Sequence, residues 1–416
     1  MQLMFDVTRT LARRYNATPT GIDRVELEFL RSFISTLSND SISFVVTTKY
    51  GNAVLVASTM KDIFDEVTER WGSAPARRAH RRNYVPLRGI HLQSVVGLLN
   101  ELRALSFIAK LVVKDRFTNA FKKLCMRSGY SVFLSTSHVG LEDAKSFLWL
   151  ERHSVKGAFF IHDTIPVDFP EFCKPKAAAI HRRRLETASQ FGKYILTCSE
   201  YSKSRLLHHL GQDRDIHVAS LGNKITLPEH TGASGNPIYF VCLGTIEGRK
   251  NLSFLLEVWR SIVHRYGVGS PKLIILGKRG WNAEAVYRVL DDSVQLRSFV
   301  EQKDGLSDAE VYQIIANARG FLAPSLVEGY GLTPAEALQI GIPVVASDIP
   351  AHREVLGSCA TFIDPIDGAS WRETIMALHK NEDYHGRSAG EAKRFTPTTW
   401  KSFVESCLSH IEVAAR

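Results

Sequence analysis

Glu328 and Glu336 stand eight positions apart in A-P-S-L-V-E-G-Y-G-L-T-P-A-E-A-L-Q-I-G-I-P-V-V-A-S (Ala323 to Ser347), around a turn that carries two glycines. A carboxylate can accept hydrogen bonds from two neighbouring hydroxyls, so one of these groups can hold a ribose diol and the other a hexose ring. Glycine lets backbone come close to a ligand, and unpaired N–H groups at a helix start attract anions. A diphosphate therefore suits the run Gly329, Tyr330, Gly331, Leu332, and the whole is the chemistry of a site for a nucleotide diphosphate sugar. Locally the spacing predicts a strand Gly320 to Ala323, a helix with Thr333 as N-cap and Pro334 as first residue, a stop at Gly341, and a buried strand Ile342 to Ala346. Thr333-x-x-Glu336 also reads as a capping box, which needs no ligand, and for Glu336 the two readings stand level. Glu328 precedes the helix among apolar and glycine residues, where a solvated charge gains little.

A second cluster lies upstream in Y-F-V-C-L-G-T-I-E-G-R-K-N-L (Tyr239 to Leu252). A strand ends at Gly244, Thr245 follows, the loop carries Arg249 and Lys250, and Asn251 can cap the next helix. Two cations beside a helix start form an anion trap; on their own they would read as an exposed basic pair on a loop. In the first half, G-A-F-F-I-H-D-T-I-P (Gly157 to Pro166) is a strand whose C-terminal end presents His162 and Asp163. Open parallel sheets bind ligands at that edge, although a lone histidine after an apolar strand is more often structural. Thr20 and Gly21 form a loop between the first strand and a helix from Asp23, where Gly21 can equally be a plain turn residue.

The E-x7-E element, with E-G-Y-G-L-T-P-A-E-A-L and G-I-P-V-V-A-S-D-I-P around it, resembles the C-terminal half of the retaining glycosyltransferases of family 4. The resemblance covers more than thirty positions. It implies an α/β chain of GT-B fold, with two Rossmann-like domains facing each other across a deep cleft. It implies that Glu328 contacts the donor sugar and Glu336 the nucleotide ribose, with Gly329, Tyr330, Gly331 and Leu332 beside the donor. It implies that Arg249 and Lys250 neutralise the leaving diphosphate, where preorganised charge acts best with water excluded. Many relatives place the arginine directly after the glycine, where this chain has Thr245, so Lys250 transfers more securely than Arg249. His162 falls on the family's H-D-x-x-P element near the sugar; Asp163 is expected to fix its tautomer or to reach the acceptor. Gly21 falls where relatives place a glycine loop facing the donor phosphates or the acceptor. Retention of configuration comes from the family alone, and no covalent nucleophile is assigned. Cofactors are expected to be none, and no metal, because fixed cations and a helix dipole can carry the diphosphate charge. The opening F-D-V-T-R-T-L-A-R-R and T-G-I-D-R-V-E is similar to that of bacterial surface polysaccharide enzymes, which puts mannose, from GDP-mannose, ahead of other donors. A GT-B sugar-nucleotide epimerase and a non-catalytic, membrane-associated scaffold are the competing readings.

These motifs need two sheets to position them. The 416 residues, 44% hydrophobic, are ample for two domains, with strands beginning near Leu3, Ile42, Ser131, Gly157, Tyr194 and Asp215, then Pro237, Pro271, Gly320, Ile342 and Cys359. The expected division is an acceptor-side domain 1–228, a linker 229–236 in E-H-T-G-A-S-G-N, a nucleotide-sugar domain 237–397, and a C-terminal helix 398–416 packing back on the first domain. Charge is uneven: Arg70 to Arg127 carries +11 and the rest of the chain −2. That segment holds the cluster Arg77 to Arg82 and a stripe of Leu98, Leu99, Leu102, Leu105, Ile108, Leu111 and Val112 beside Arg103, Lys110 and Lys114. A basic amphipathic helix can lie on an anionic membrane surface, while a domain helix with cations facing water is the plainer alternative. Nucleic acid is not an expected partner, since the basic cluster lacks interleaved aromatics. The six cysteines lack metal-binding spacing, so reduced thiols are expected. With no signal peptide or membrane-spanning run evident, the expectation is a cytoplasmic protein, peripheral at most on the inner face of the plasma membrane.

Overall fold

The computed structural model describes residues 2–16, 19–35, 41–72, 92–126, 131–223, 225 and 239–413, and for 92–98 the backbone alone. The expected linker 229–236 and the cluster Arg77 to Arg82 lie outside the described residues. The first half forms a seven-stranded sheet of β1 (Gln2–Asp6), β2 (Ile42–Thr48), β3 (Gly51–Leu55), β4 (Ser131–Ser135), β5 (Lys156–Phe160), β6 (Gly192–Thr197) and β7 (Ile216–Val218), ordered β3-β2-β1-β4-β5-β6-β7. The second half forms a six-stranded sheet of β8 (Tyr239–Leu243), β9 (Lys272–Leu276), β10 (Val300–Lys303), β11 (Gly320–Ala323), β12 (Val344–Ser347) and β13 (Thr361–Ile363), ordered β10-β9-β8-β11-β12-β13. All neighbours are parallel except β2 and β3. Each order reverses once, between β1 and β4 and between β8 and β11. Crevices at such reversals are where open α/β sheets bind ligands.

The pleat explains why these strands read as unbroken apolar runs. In the first sheet Leu3, Phe5, Val132, Leu134, Ala158 and Phe160 feed one core while Met4, Phe133, Phe159 and Ile161 feed the other. The second sheet divides in the same way, Phe240, Cys242, Leu273 and Ile275 against Val241, Ile274 and Leu276. Helices cover both faces, so neither parity of residue can be polar. Two strands, β3 and β10, have no counterpart in the sequence reading. Both are edge strands with half-exposed residues and lack that apolar signature.

The chain returns to the first sheet at its end. Asn223 N–H donates to the Thr398 carbonyl over 2.9 Å, and a Cβ on Gly222 would lie 2.3 Å from Trp400 N. The helix Trp400–Val413 then buries Phe403, Val404, Cys407 and Ile411 in the core of the first sheet, with Phe403 ring-on-edge against Phe29 and Phe160.

The helix Leu92–Thr118 corrects the expected stripe. Ala104, Ile108 and Val112 face inward, whereas Leu99, Leu102 and Leu105 are 53%, 52% and 59% exposed. Apolar residues lie on more than one side of this helix, and the buried side is the one packed against β3, where Val112 meets Gly51, and against the helix Thr8–Arg13. The Leu98 side chain lies outside the described residues.

Candidate active site

The site sits at the reversal in the second sheet, where β8 and β11 end side by side. Gly244 follows β8 at φ 146°, and a Cβ there would come 3.2 Å from Lys250 Cε, so glycine leaves the path of the lysine clear. Arg249 and Lys250 lie in the short turn Gly248–Lys250, and Asn251 at φ 55° opens the helix Leu252–Tyr266. Asn251 holds the expected cap position without the expected cap bond; its Nδ2 donates to the Pro365 carbonyl over 2.9 Å. The loops after β8 and β11 are tied by Leu326 N–H donating to the Arg249 carbonyl at 2.8 Å.

Glu328 is clamped between the two cations. Its Oε1 accepts from Lys250 Nζ at 2.6 Å and from Ser325 Oγ at 2.8 Å, while Oε2 pairs with Arg249 Nη1. Arg249 Nε also meets Glu247 at 2.6 Å. Acid and base alternate through Glu247, Arg249, Glu328 and Lys250, the acids buried and the bases half-buried. Burial pushes the Glu328 carboxyl up, but Arg249 and Lys250 outweigh it and hold the group ionised, well below the usual carboxylate range.

The other half of the site comes across the cleft. Gly329 packs so tightly on the His162–Asp163 turn that a Cβ would lie 2.9 Å from the Asp163 Cβ and the His162 carbonyl oxygen. The Gly329 carbonyl accepts from Ser199 Oγ at 2.6 Å and Ser202 Oγ at 3.0 Å. The His162–Asp163 turn is thus held against the loop that carries Glu328. The Thr136 carbonyl, 2.9 Å from His162 Nε2, fixes that proton on Nε2, and burial lowers the ring's pKa to about 4. Asp163 does not set this tautomer: its Oδ1 accepts from Ile165 N–H at 3.0 Å.

Several expected positions lie elsewhere. The helix Leu332–Ile340 begins one residue before Thr333, with Gly331 as its N-cap at φ 94° and no capping side chain. The capping-box reading of Glu336 fails for that reason. Glu336 Oε1 instead accepts from Tyr312 OH at 3.2 Å and faces Arg24 of the opposite half at 3.9 Å. Burial raises its pKa, and Arg24 opposes the rise. Tyr330 and Leu332 turn into the core of the first sheet, the Tyr330 hydroxyl donating to the Leu221 carbonyl at 3.1 Å. Thr245 packs against Gly280. Gly21 is exposed at the first turn of the helix Gly21–Ser35, which starts two residues earlier than expected because Thr20 N–H and Oγ1 both donate to Asp23 Oδ2, at 2.7 and 2.8 Å.

A pocket of about 20 Å³ remains beside the clamp, lined among others by Gly244, Lys250, Ser325, Glu328, Thr333 and His352. Sequence reasoning missed Ser325, Glu247 and His352. Ser325 lies three residues before Glu328, a spacing that could have signalled it. Among the described residues, no group of three or more His, Cys, Asp or Glu is placed to hold a metal ion.

Residues 223–395 match the family described as glycosyl transferases group 1. The O-antigen chain mannosyltransferase B of Escherichia coli is 25% identical over 277 residues, covering 62% of this chain and 72% of that protein. The chain is a glycosyltransferase of GT-B fold. The serotype-specific mannosyltransferase WbdA of Escherichia coli is 30% identical over 285 residues, 62% of this chain but 34% of that protein, so the chain spans about a third of this longer relative. The solved structure of Anabaena Alr3699/HepE in complex with UDP and glucose superposes with a TM-score of 0.63 at 12% identity, covering 99% of both chains. This glycosyltransferase therefore has both sheets of the GT-B architecture, with the acid and base clamp at the reversal of the second.

Proposed function

We propose that this glycosyltransferase moves a hexose, with mannose the leading choice, from a nucleotide diphosphate sugar to a glycan or lipid-linked oligosaccharide of a surface polysaccharide, retaining anomeric configuration. The names of the two Escherichia coli relatives support mannose and the pathway. The observation that carries the reading is Glu328 clamped by Arg249 and Lys250 against the His162–Asp163 turn. In this reading the donor diphosphate replaces the carboxylate as the anion between the two cations. The released Glu328 then takes sugar hydroxyls. Uncapped N–H groups at the start of the Leu332 helix add to the positive field on the leaving group. His162, neutral with its proton on Nε2, orients the sugar; it cannot serve as a general acid near neutral pH, which agrees with a mechanism that works by leaving-group stabilisation and positioning. The cations carry the load a divalent metal would, so the reading needs no metal, and turnover should persist in a chelator.

Supported by the two sheets and the returning helix, the proposed domain division is 1–228, linker 229–236, 237–397 and 398–416. Glu336 meets the ribose only after Arg24 yields it. The helix Leu92–Thr118, outwardly apolar and flanked by cations, is the proposed contact with an anionic membrane surface. No helix of the described residues is long and apolar enough to cross a membrane.

The test is incubation with a panel of nucleotide sugars, reading released nucleotide and any product on extracted lipid-linked glycans. Release with a new glycan product from one donor is the expected result. A donor converted to another nucleotide sugar with no acceptor would favour the epimerase, and no binding of any donor by calorimetry would favour the scaffold.

A further inference from the structure

His352, in S-D-I-P-A-H-R-E, lies in the helix Pro350–Leu356 and is 1% exposed. Its Nδ1 is 3.0 Å from the Ser347 carbonyl oxygen. A carbonyl only accepts, so the proton sits on Nδ1 and Nε2 is a bare lone pair. Burial lowers the pKa of the ring, Glu328 and the Ser347 bond opposing it, which keeps it neutral. Nε2 is buried and has no hydrogen-bond partner. Buried polar atoms nearly always have one, and an exception calls for an explanation.

Its position supplies one. The ring lines the same pocket as Glu328, Lys250, Ser325 and Thr333. It lies against Gly331: a Cβ there would come 3.0 Å from Cδ2 and 3.5 Å from Nε2. Glycine at 331, already required by its φ of 94°, keeps the approach to the lone pair open. The missing partner must be a donor, which excludes phosphate oxygens and suits a sugar hydroxyl. Because the ring shares its pocket with Glu328 and not with Glu336, the hydroxyl belongs to the hexose rather than the ribose.

We propose that His352 Nε2 accepts a hydrogen bond from one hydroxyl of the transferred sugar and is a specificity-determining residue of the donor site. This rests on the reading of the Glu328 pocket as the sugar site. A donor whose sugar lacks that hydroxyl leaves Nε2 unpaired, so the enzyme should reject it relative to the full donor, and that rejection should depend on His352.

The experiment compares kcat/KM for the donor found in the nucleotide-sugar panel and for its singly deoxygenated analogues. In the unaltered enzyme one deoxy position should lower kcat/KM by about tenfold, the scale of one buried hydrogen bond. His352→Asn, whose Nδ2 can still donate to Ser347, should lose about tenfold on the full donor and nothing further on that one analogue. If the variant rejects each analogue as the unaltered enzyme does, the inference is overturned. His352→Gln, which puts an acceptor near the place of Nε2, should recover discrimination at the same position. Its failure to do so in a folded protein counts equally against the inference, and it keeps the test decisive if the Asn variant does not fold. Glu328→Gln, run in parallel, separates the two levels: near-normal turnover there would remove the sugar-site reading itself. A slowed Glu328→Gln with an unchanged His352→Asn pattern would remove only His352.

Discussion

Glu328 faces two demands at once. It neutralises Arg249 and Lys250 in the structure described, and in the proposed reaction it hands them to a diphosphate. Glu328→Gln should therefore split the kinetic constants. Turnover falls by more than about tenfold, over roughly 1.4 kcal/mol of barrier, because the sugar loses its charged acceptor. Donor affinity is kept or improved, because the two cations lose their internal anion. Lys250→Ala should slow transfer by a similar factor while weakening the donor. Steady-state kinetics with calorimetry on the nucleoside diphosphate checks both, and near-normal turnover in either folded variant would remove the assignment. A second residue-level prediction concerns Glu26, buried with its Oε1 taken by Thr10 N–H and Oγ1 and its Oε2 unpartnered. Burial is the largest cause that lifts its pKa from 4.5 to about 8, with nearby Asp6 adding to the rise. The folded state then holds a proton that the unfolded chain has released. Stability from this group is full below pH 4.5 and is lost as pH rises to about 8, by up to about 1.4 kcal/mol per pH unit. Glu26→Gln, which mimics the protonated form, should be the more stable protein at pH 8, and urea titrations at pH 5 and pH 8 would measure the difference. Equal gaps at the two pH values would mean that Glu26 is ionised in the fold.

Elements were legible where a local rule sets them and illegible where a partner does. The apolar runs of β1, β4 and β8 and the positive-φ stop at Gly341 come from short-range chemistry, and they stand where the sequence puts them to within a residue or two. The start of the Leu332 helix was misread because Thr333 and Pro334 look like a cap and first turn, while the left-handed Gly331 before them is what ends the loop. The helix Leu92–Thr118 shows the same limit in packing. Periodicity marked it amphipathic but could not say which apolar side would meet β3, and the outer side keeps Leu99, Leu102, Leu105, Val113 and Phe117 in solvent, the last 84% exposed. Arg103, Lys110 and Lys114 adjoin that side. A stripe of this kind binds an anionic bilayer through buried apolar area plus about 1 kcal/mol for each cation at the surface. The protein should float with vesicles containing anionic lipid and stay behind with neutral ones. Leu105→Glu with Phe117→Glu should abolish flotation while leaving turnover on a soluble acceptor intact. Flotation unaffected by the double change would assign the contact to another part of the chain.

At the scale of the whole molecule, the two halves are in contact, and polar ties join them beside the apolar contact of Tyr330 and Leu332. Arg24 meets Asp308 at 2.8 Å, Glu354 accepts from Glu200 N–H and Tyr201 N–H at 2.6 and 3.0 Å, and the Ser199 and Ser202 hydroxyls hold Gly329. None of this was visible in the sequence, since the partners come from opposite halves of the chain and no local pattern joins residue 24 to residue 336. The pocket beside the clamp, at about 20 Å³, has room for little more than a water molecule, so a nucleotide sugar fits there if the halves part. Half-exposed ion pairs are worth about 1 kcal/mol at most, a factor of about five in a two-state equilibrium. Arg24→Ala should therefore shift the ligand-free population toward the open form by up to about that factor and also free Glu336 for the ribose. Small-angle scattering should show a larger radius of gyration for the variant than for the unaltered protein. Salt near 1 M should move the unaltered protein the same way, because exposed pairs are screened at that strength. Saturating nucleoside diphosphate should bring the two together again. If neither the variant nor salt changes the radius, closure is held instead by Tyr330 and Leu332 in the first core, and donor entry requires that apolar contact to break.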